Sequence, residues 1–159
     1  FLELLKSCIE ITGCEPAQIT LELTERMLMD DVERTLERLN AIRELGINLS
    51  LDDFGTGWSS LTHLRHFPLD ELKIDREFVA NVMESGSRES VIIASLIELA
   101  GKLNLRVVAE GIETFEQAGC LKSMGCDLLQ GYYFSRPVPV EQFKALLESC
   151  PWSGDLVQA

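Results

Sequence analysis

Residues 49–60 read LSLDDFGTGWSS. The stretch opens with alternating apolar residues, Leu49 and Leu51, which is typical of a β-strand. Two adjacent acids and a Gly-Thr-Gly follow at once. Because like charges this close repel each other, something must compensate for them. The stretch therefore predicts a strand whose carboxyl end carries a charge cluster.

Strand-like and helix-like stretches alternate along the rest of the chain. The predicted strands are residues 19–24, 47–52, 71–75, 105–110 and 126–130. Helical periodicity predicts helices over the first 12 residues and over 31–45, 58–66, 88–103, 114–124 and 140–149. Thr114 is the predicted N-cap of its helix and Gly46 the predicted C-cap of the helix over 31–45. Such alternation predicts a parallel sheet, in either an open doubly wound fold or a (β/α)8 barrel.

The phase of the polar residues separates these two folds. Each predicted strand has one apolar face, and the other face carries a polar group near the carboxyl end: Glu22, Asp52, Lys73, Glu110 and Gln130. Barrels place functional groups there, whereas a doubly wound sheet buries both faces with apolar side chains. The pattern predicts an α/β, TIM-barrel-like (β/α)8 fold with about five of its eight βα units. Residues 1–159 are expected to form a single partial domain, with further strands upstream or a partner covering the open edges.

Composition excludes several kinds of protein. The net charge of −12 argues against binding a nucleic-acid polymer or an anionic membrane. No apolar run approaches the roughly 20 residues of a membrane span. The five cysteines contain no Cys-x-x-Cys pair, so we expect reduced thiols in a cytoplasmic chain rather than a zinc site.

Four carboxylates are candidates for a divalent-cation site, since hard cations prefer oxygen ligands. They are Glu22, Asp52, Asp53 and Glu110. The alternative is that these acids are merely solvated at the rim of a barrel. Lys73 either pairs with them or holds a water or a phosphate oxygen. Gln130 either binds a ligand or caps a strand end.

The glycine-rich loop also has two interpretations. Gly55, Thr56 and Gly57 could aim backbone N–H groups at a ligand or at Glu25, or they could form a plain tight turn. His63 and His66 follow on the next helical segment, where we expect surface or interface positions.

Five ordered motifs carry a family resemblance. They are LELTE at 21–25, DDFGTG at 52–57, LKID at 72–75, VVAEGIET at 107–114 and QGYYFSRP at 130–137. Together they resemble the EAL-type cyclic di-GMP phosphodiesterases, which are bacterial signalling domains. The resemblance implies a modified (β/α)8 barrel that hydrolyses cyclic di-GMP to linear pGpG with two Mg²⁺ or Mn²⁺ ions.

The resemblance also implies a role for each matching residue. Glu22 and Asp52 resemble metal ligands, and Asp53 resembles the acid that serves the second metal and its bridging water. Lys73 resembles the lysine on the nucleophilic water, and Glu110 a metal ligand or general base. The remaining matches are the substrate-side residues Gln130 and Glu113, and the loop-stabilising Glu25 with Gly55, Thr56 and Gly57.

Partners follow from the same resemblance. It implies cyclic di-GMP as ligand and an upstream sensory or GGDEF-type domain. It also implies a homodimer through the segment after DDFGTG, where the candidate residues are Trp58, Leu61, His63, Leu64 and His66.

The chain departs from the family pattern at one point. The Glu-Ala-Leu motif, whose glutamate is a metal ligand, is absent, and so is the asparagine ligand of the next strand. We therefore expect a phosphodiesterase domain with little or no activity as this chain. The alternatives are a non-catalytic cyclic di-GMP-binding or protein-interaction module and a structural dimer element.

Overall fold

The computed structural model describes residues 1–29, 31–54, 65–83 and 87–149, without the side chains of residues 29 and 53. The predicted helix over 58–66 lies almost entirely outside these ranges. The helices of the described residues are α1 (Leu2–Thr12), α2 (Glu25–Met29), α3 (Val32–Arg43), α4 (Arg76–Ala80), α5 (Arg88–Lys102), α6 (Phe115–Ser123) and α7 (Val140–Ser149). Pro16–Gln18 forms a 3₁₀ turn. The five long helices confirm the predictions. The short helices α2 and α4 were not predicted, because five residues are too few to show a helical period.

Side-chain caps explain where several helices begin. Asp31 accepts the backbone N–H of Arg34 at the start of α3, and Asp75 accepts that of Glu77 at the start of α4. Thr114 caps α6, as predicted. The prediction for Gly46 was wrong: the C-cap of α3 is Glu44, and Gly46 follows it with φ 85° in the left-handed region.

The strands are β1 (Thr20–Thr24), β2 (Asn48–Phe54), β3 (Glu71–Ile74), β4 (Arg106–Ala109) and β5 (Leu128–Leu129), hydrogen-bonded in that order. β1 runs parallel to β2 with Thr24 opposite Asp52, and β4 runs parallel to β5 with Ala109 opposite Leu129. This confirms the parallel α/β fold. The last two strands are shorter than predicted, so Glu110 and Gln130 lie one residue beyond their strands.

Acids at the amino ends of strands hold neighbouring strands in place. Asp70, just before β3, accepts the N–H of Leu49 on β2 at 2.8 Å and also pairs with Arg43. Asp127, just before β5, accepts the N–H of Val107 on β4 at 2.8 Å. Each acid satisfies a backbone donor that the parallel ladder leaves unpaired.

The chain divides into two compact units. The first unit is Phe1–Lys73 with Ala100–Arg106, and the second is Ile74–Leu99 with Val107–Ala159. The core of the first unit includes Ile47, Leu49, Leu51 and Leu72, and that of the second includes Ile74, Val79, Ile93, Ile112 and Leu121, all at most 1% exposed. The single domain over residues 1–159 stays a prediction.

No helix within the described ranges is both long and apolar enough to cross a membrane.

Candidate functional site

Three charged side chains meet at the carboxyl ends of neighbouring strands in the first unit. Glu22 lies on β1, Asp52 on β2 and Lys73 on β3. The ammonium of Lys73 donates to Glu22 Oε1 at 2.7 Å, and its Nζ lies 3.3 Å from Asp52 Oδ1. The structure thus brings together three of the predicted site residues, as their shared strand phase predicted.

Lys73 is the most enclosed member of this cluster. Its side chain is 6% exposed, against 23% for Asp52 and 55% for Glu22. A buried ammonium group loses its hydration and is tolerated only with anionic partners. The two carboxylates supply that compensation, and Lys73 in turn reduces the repulsion between them. The result is a positive charge held at a fixed point, with limited contact to water.

Asp52 is only partly compensated by Lys73. Its Oδ1 lies within ion-pair distance of the ammonium, but it has no hydrogen-bond partner in the described part of the chain. This oxygen is also buried. An anionic oxygen that is withdrawn from water and lacks a hydrogen bond suits a cation as its partner.

Glu22 and Asp52 therefore fit a divalent cation in the chemistry of their donor atoms. Within the described ranges, however, no three Asp, Glu, His or Cys side chains come together as a metal group. Two carboxylates provide only part of the six to eight oxygen ligands of Ca²⁺ or the six of Mg²⁺. Further ligands would have to be waters, the substrate or residues beyond those described.

Most of the other residues predicted for the loop near Asp52 lie outside the described part of the chain. The backbone of Asp53 continues β2, but its side chain lies outside the description, as do Gly55, Thr56 and Gly57. Glu25 begins α2, and its Oε2 is buried with no hydrogen-bond partner in the described part of the chain. The role of Glu25 in holding the glycine-rich loop stays a prediction.

The predicted dimer segment is also mostly outside the described ranges. Trp58, Leu61, His63 and Leu64 all lie there, whereas His66 is exposed and its Nε2 accepts a hydrogen bond from Arg65. The exposure of His66 agrees with the expected surface position. The dimer itself stays a prediction.

Glu110, Glu113 and Gln130 line one cavity in the second unit. The cavity has a volume of about 640 Å³, and Asp75, Arg76, Gln117 and Tyr132 are also in its wall. Glu110 follows β4 directly, and its N–H donates to the carbonyl of Ile74. Whether this group meets Glu22, Asp52 and Lys73 at one mouth stays a prediction.

Two glycines allow the walls of this cavity to approach each other closely. Gly111 has φ 71°, and a Cβ there would lie 2.4 Å from the Cβ of Arg76. A Cβ at Gly131 would lie 2.1 Å from the carbonyl oxygen and 2.2 Å from the nitrogen of Ile112. Only glycine fits where two backbones are this close. Both glycines lie in motifs quoted from the sequence, but their packing role was not predicted.

Gln117 is a third residue whose role the sequence reasoning missed. It completes a capping box with Thr114, in which the side chain of each residue accepts the backbone N–H of the other. The Thr-x-x-Gln spacing at 114–117 is a readable signal for this motif.

The cysteines within the described ranges form no disulfide. Cys126 is buried, and its Sγ lies 3.3 Å from the carbonyl oxygen of Leu128 and 3.5 Å from that of Val107. Burial raises the pKa of the Cys126 thiol to about 11. A thiol that stays protonated at neutral pH is a poor nucleophile and a poor metal ligand. Cys126 is therefore a packing residue.

Parallel strands with acids and a lysine at their carboxyl ends are typical of barrel-type α/β proteins. The model of the EAL domain matches residues 1–137. The chain belongs to the EAL domain family.

Two curated relatives come from Pseudomonas aeruginosa. The cyclic di-GMP phosphodiesterase NbdA is 43% identical over 145 residues, which is 91% of this chain and 18% of NbdA. The bifunctional diguanylate cyclase/cyclic di-GMP phosphodiesterase MucR is 43% identical over 131 residues, which is 82% of this chain and 19% of MucR. The chain therefore spans about one fifth of the length of either relative.

Solved structures agree with the fold. The MucR phosphodiesterase in complex with c-di-GMP superimposes with a TM-score of 0.84 at 39% identity, covering 89% of this chain and 63% of that one. Klebsiella pneumoniae BlrP1 in a manganese and cyclic di-GMP complex gives a TM-score of 0.79 at 37% identity, covering 86% of this chain and 34% of BlrP1.

Proposed function

We propose that this chain is the greater part of a cyclic di-GMP phosphodiesterase domain that hydrolyses its substrate to linear pGpG with Mg²⁺ or Mn²⁺. The observation that carries the proposal is the buried Lys73 ammonium, held by Glu22 at 2.7 Å beside the partly compensated Asp52. Folding alone gives no reason to bury a lysine between two acids at this end of the sheet. Membership of the EAL domain family supports the substrate class.

The chain's own residues divide the chemistry between them. Lys73 places a fixed positive charge where it can orient a water or a phosphate oxygen and stabilise negative charge that develops on the phosphodiester. Glu22 and Asp52, with Asp53 and Glu110, would hold the cations. When bound, the cations supply the charge that polarises the phosphodiester and acidifies a water. The complex of BlrP1 with manganese and cyclic di-GMP supports a divalent cation as cofactor.

The second unit would contribute on the substrate side. Gln130 and Glu113 line the 640 Å³ cavity together with Arg76. An amide can hydrogen-bond a guanine edge, and an arginine can bind a phosphate oxygen. The c-di-GMP complex of MucR supports this ligand.

We also propose that these 159 residues alone have little or no hydrolytic activity. The described residues assemble two carboxylates and one lysine, and no metal group of three ligands. Losing part of a ligand set weakens metal binding severely. The same observation favours one alternative: a regulatory module that binds cyclic di-GMP, or a partner protein, without cleaving it.

The cellular setting is part of the proposal. We place the protein in the cytoplasm as a signalling domain, with a homodimer through the segment after DDFGTG. The bifunctional name of MucR supports an upstream GGDEF-type domain.

Hydrolysis of cyclic di-GMP to pGpG, followed by chromatography with Mn²⁺ present, tests the function. It is measured for this chain and for a chimera that adds the part of the MucR phosphodiesterase domain which this chain does not cover. We expect turnover by the chimera and about 10²- to 10³-fold less after Lys73→Met. Lys144→Met, at an exposed lysine of α7, is the matched control.

Two results would overturn the catalytic proposal. One is a folded chimera without turnover, and the other is an equal effect of the two lysine variants. Calorimetry then separates the alternative, because a binding module takes up cyclic di-GMP without releasing pGpG.

A further inference from the structure

The loop of residues 110–114 links β4 to α6 and carries two acids of the second-unit cavity, Glu110 and Glu113. Such a loop lies beyond the end of its strand, so individual hydrogen bonds to side chains or neighbouring segments must fix it. Loops that position reactive groups work only when they are held within a fraction of an ångström. What holds this loop therefore decides where its acids point.

One side of the loop is held through its backbone at Ile112. The N–H of Ile112 donates to the carbonyl of Gln130 at 3.1 Å, and its carbonyl accepts from the N–H of Tyr133 at 2.9 Å. Gly131 lies directly against the backbone of the same residue, Ile112. Ile112 itself is fully buried. This side cannot move without breaking two hydrogen bonds.

Gln117 holds the next two residues of the loop. Its Oε1 accepts the N–H of Glu113 at 2.8 Å and the N–H of Thr114 at 3.1 Å. Its Nε2 lies 3.5 Å from the carbonyl oxygen of Val79 in α4. In addition, the N–H of Gln117 donates to the hydroxyl of Thr114. One amide side chain therefore joins the loop, the start of α6 and the end of α4.

The choice of glutamine over glutamate also has a physical reason. A capping box accepts either residue, since both offer a side-chain oxygen. Here Gln117 lines a cavity whose wall includes four acids together with Arg76; the acids are Asp75, Glu77, Glu110 and Glu113. A further carboxylate would add like-charge repulsion and would oppose an anionic ligand. The neutral amide gives the same oxygen without that charge.

We propose that Gln117 is a positioning residue that fixes the loop of residues 110–114 and so sets the place of Glu110 and Glu113 in the cavity. As a contribution to cyclic di-GMP hydrolysis, this inference rests on the proposed function. The fixing of the loop is a property of the chain itself and can be measured without any ligand.

The first experiment is amide hydrogen exchange on this chain, resolved by residue. Gln117→Met keeps the length of the side chain and removes the accepting oxygen, so exchange at Glu113 and Thr114 should accelerate about fivefold to tenfold. Gln142→Met is the matched control, because Gln142 is exposed at the same third position of α7. Gln117→Glu retains the oxygen and should keep both amides slow.

The second experiment measures cyclic di-GMP binding and turnover with the MucR chimera. Gln117→Met should lower kcat/KM about tenfold while the urea midpoint stays close to that of Gln142→Met. Gln117→Glu should keep the N–H groups of Glu113 and Thr114 bonded while losing the contact of Nε2 with Val79. It should weaken binding of the dianionic ligand severalfold, and the effect should be smaller at high salt.

The two readouts distinguish the possible failures. Unchanged exchange at Glu113 and Thr114, or an equal acceleration at all amides, would overturn the positioning role. Normal turnover by Gln117→Met with an accelerated loop would overturn its part in the reaction. A wild-type chimera that neither binds nor cleaves cyclic di-GMP would instead defeat the proposed function, and the exchange result would still decide what holds the loop.

Discussion

Gly131→Ala is the substitution for which the structure makes the strongest prediction. The added Cβ would lie 2.1 Å from the carbonyl oxygen, 2.2 Å from the nitrogen and 2.6 Å from the carbonyl carbon of Ile112. All three are backbone atoms, so no rotamer change can relieve the overlap. Either Ile112 or the chain at residue 131 must shift by about 1 Å to reach ordinary van der Waals contact.

That shift has a cost that follows from the local contacts. It disrupts the bonds from Ile112 N–H to Gln130 and from Tyr133 N–H to Ile112, each worth about 0.5–1.5 kcal/mol. Overpacking adds about 1–3 kcal/mol of strain. The loss of glycine's freedom in the unfolded chain returns about 0.4–1 kcal/mol. We expect a net loss of about 3 kcal/mol in the free energy of unfolding.

Urea unfolding followed by circular dichroism measures this loss. With a denaturant slope of about 2 kcal/mol/M, the midpoint should fall by about 1.5 M. Gly119→Ala is the control, because Gly119 lies inside α6 and a Cβ there meets nothing within 4 Å. Alanine is the better helix former, so this variant should gain about 0.5–1 kcal/mol.

Both glycines belong to the second unit, so a difference between the variants reports their immediate surroundings. A Gly131→Ala chain within about 0.5 kcal/mol of the wild type would refute the close approach of the two backbones. It would also remove the reason for calling that side of the loop fixed.

Three further outcomes are expected. Lys73→Met should lower Mn²⁺-dependent turnover in the chimera about 10²- to 10³-fold. By leaving Asp52 without its cationic partner, it should also lower the free energy of unfolding in urea by about 1–3 kcal/mol; unchanged stability would contradict the ion-pair geometry. Asp127→Ala leaves the Val107 N–H unsatisfied and should lower the free energy of unfolding by about 1–3 kcal/mol. Calorimetry should show an unchanged ligand affinity for the folded molecules. The pKa of Cys126 is raised to about 11, so iodoacetamide at pH 8 should label the exposed Cys14 and leave Cys126 unlabelled. Cys126 should become labelled once urea unfolds the chain, and mass spectrometry measures both.

The strand phase was sufficient to predict which three candidate residues lie together. Period two alone placed Glu22, Asp52 and Lys73 on one face, and the structure joins them through the Lys73 ammonium. This succeeds because a side chain's face depends only on its position along its own strand. The helix over 114–124 was predictable for a similar reason, since the Thr114 cap and the apolar period are both local.

Features that depend on two distant segments were not predictable in this way. The packing of Gly131 on Ile112 joins residues that are far apart in sequence, and neither residue type predicts the contact. Gln117 was readable as a capping residue, yet its contact with Val79 requires knowing where α4 lies. Strand ends were also misjudged, because the ladder of a neighbouring strand decides where a strand stops.

The two ends of the sheet use the same residue type in opposite ways. At the amino ends, Asp70 and Asp127 each accept a backbone N–H at 2.8 Å, so their carboxylates are satisfied by the fold. At the carboxyl end, Asp52 has a buried oxygen that no described residue hydrogen-bonds. Leaving such an oxygen without a hydrogen bond costs about 1–3 kcal/mol, which the Lys73 ammonium at 3.3 Å offsets only in part. Since parallel βα barrels place stability at one end and chemistry at the other, we propose a bound cation as the further partner of Asp52 beside the Lys73 ammonium.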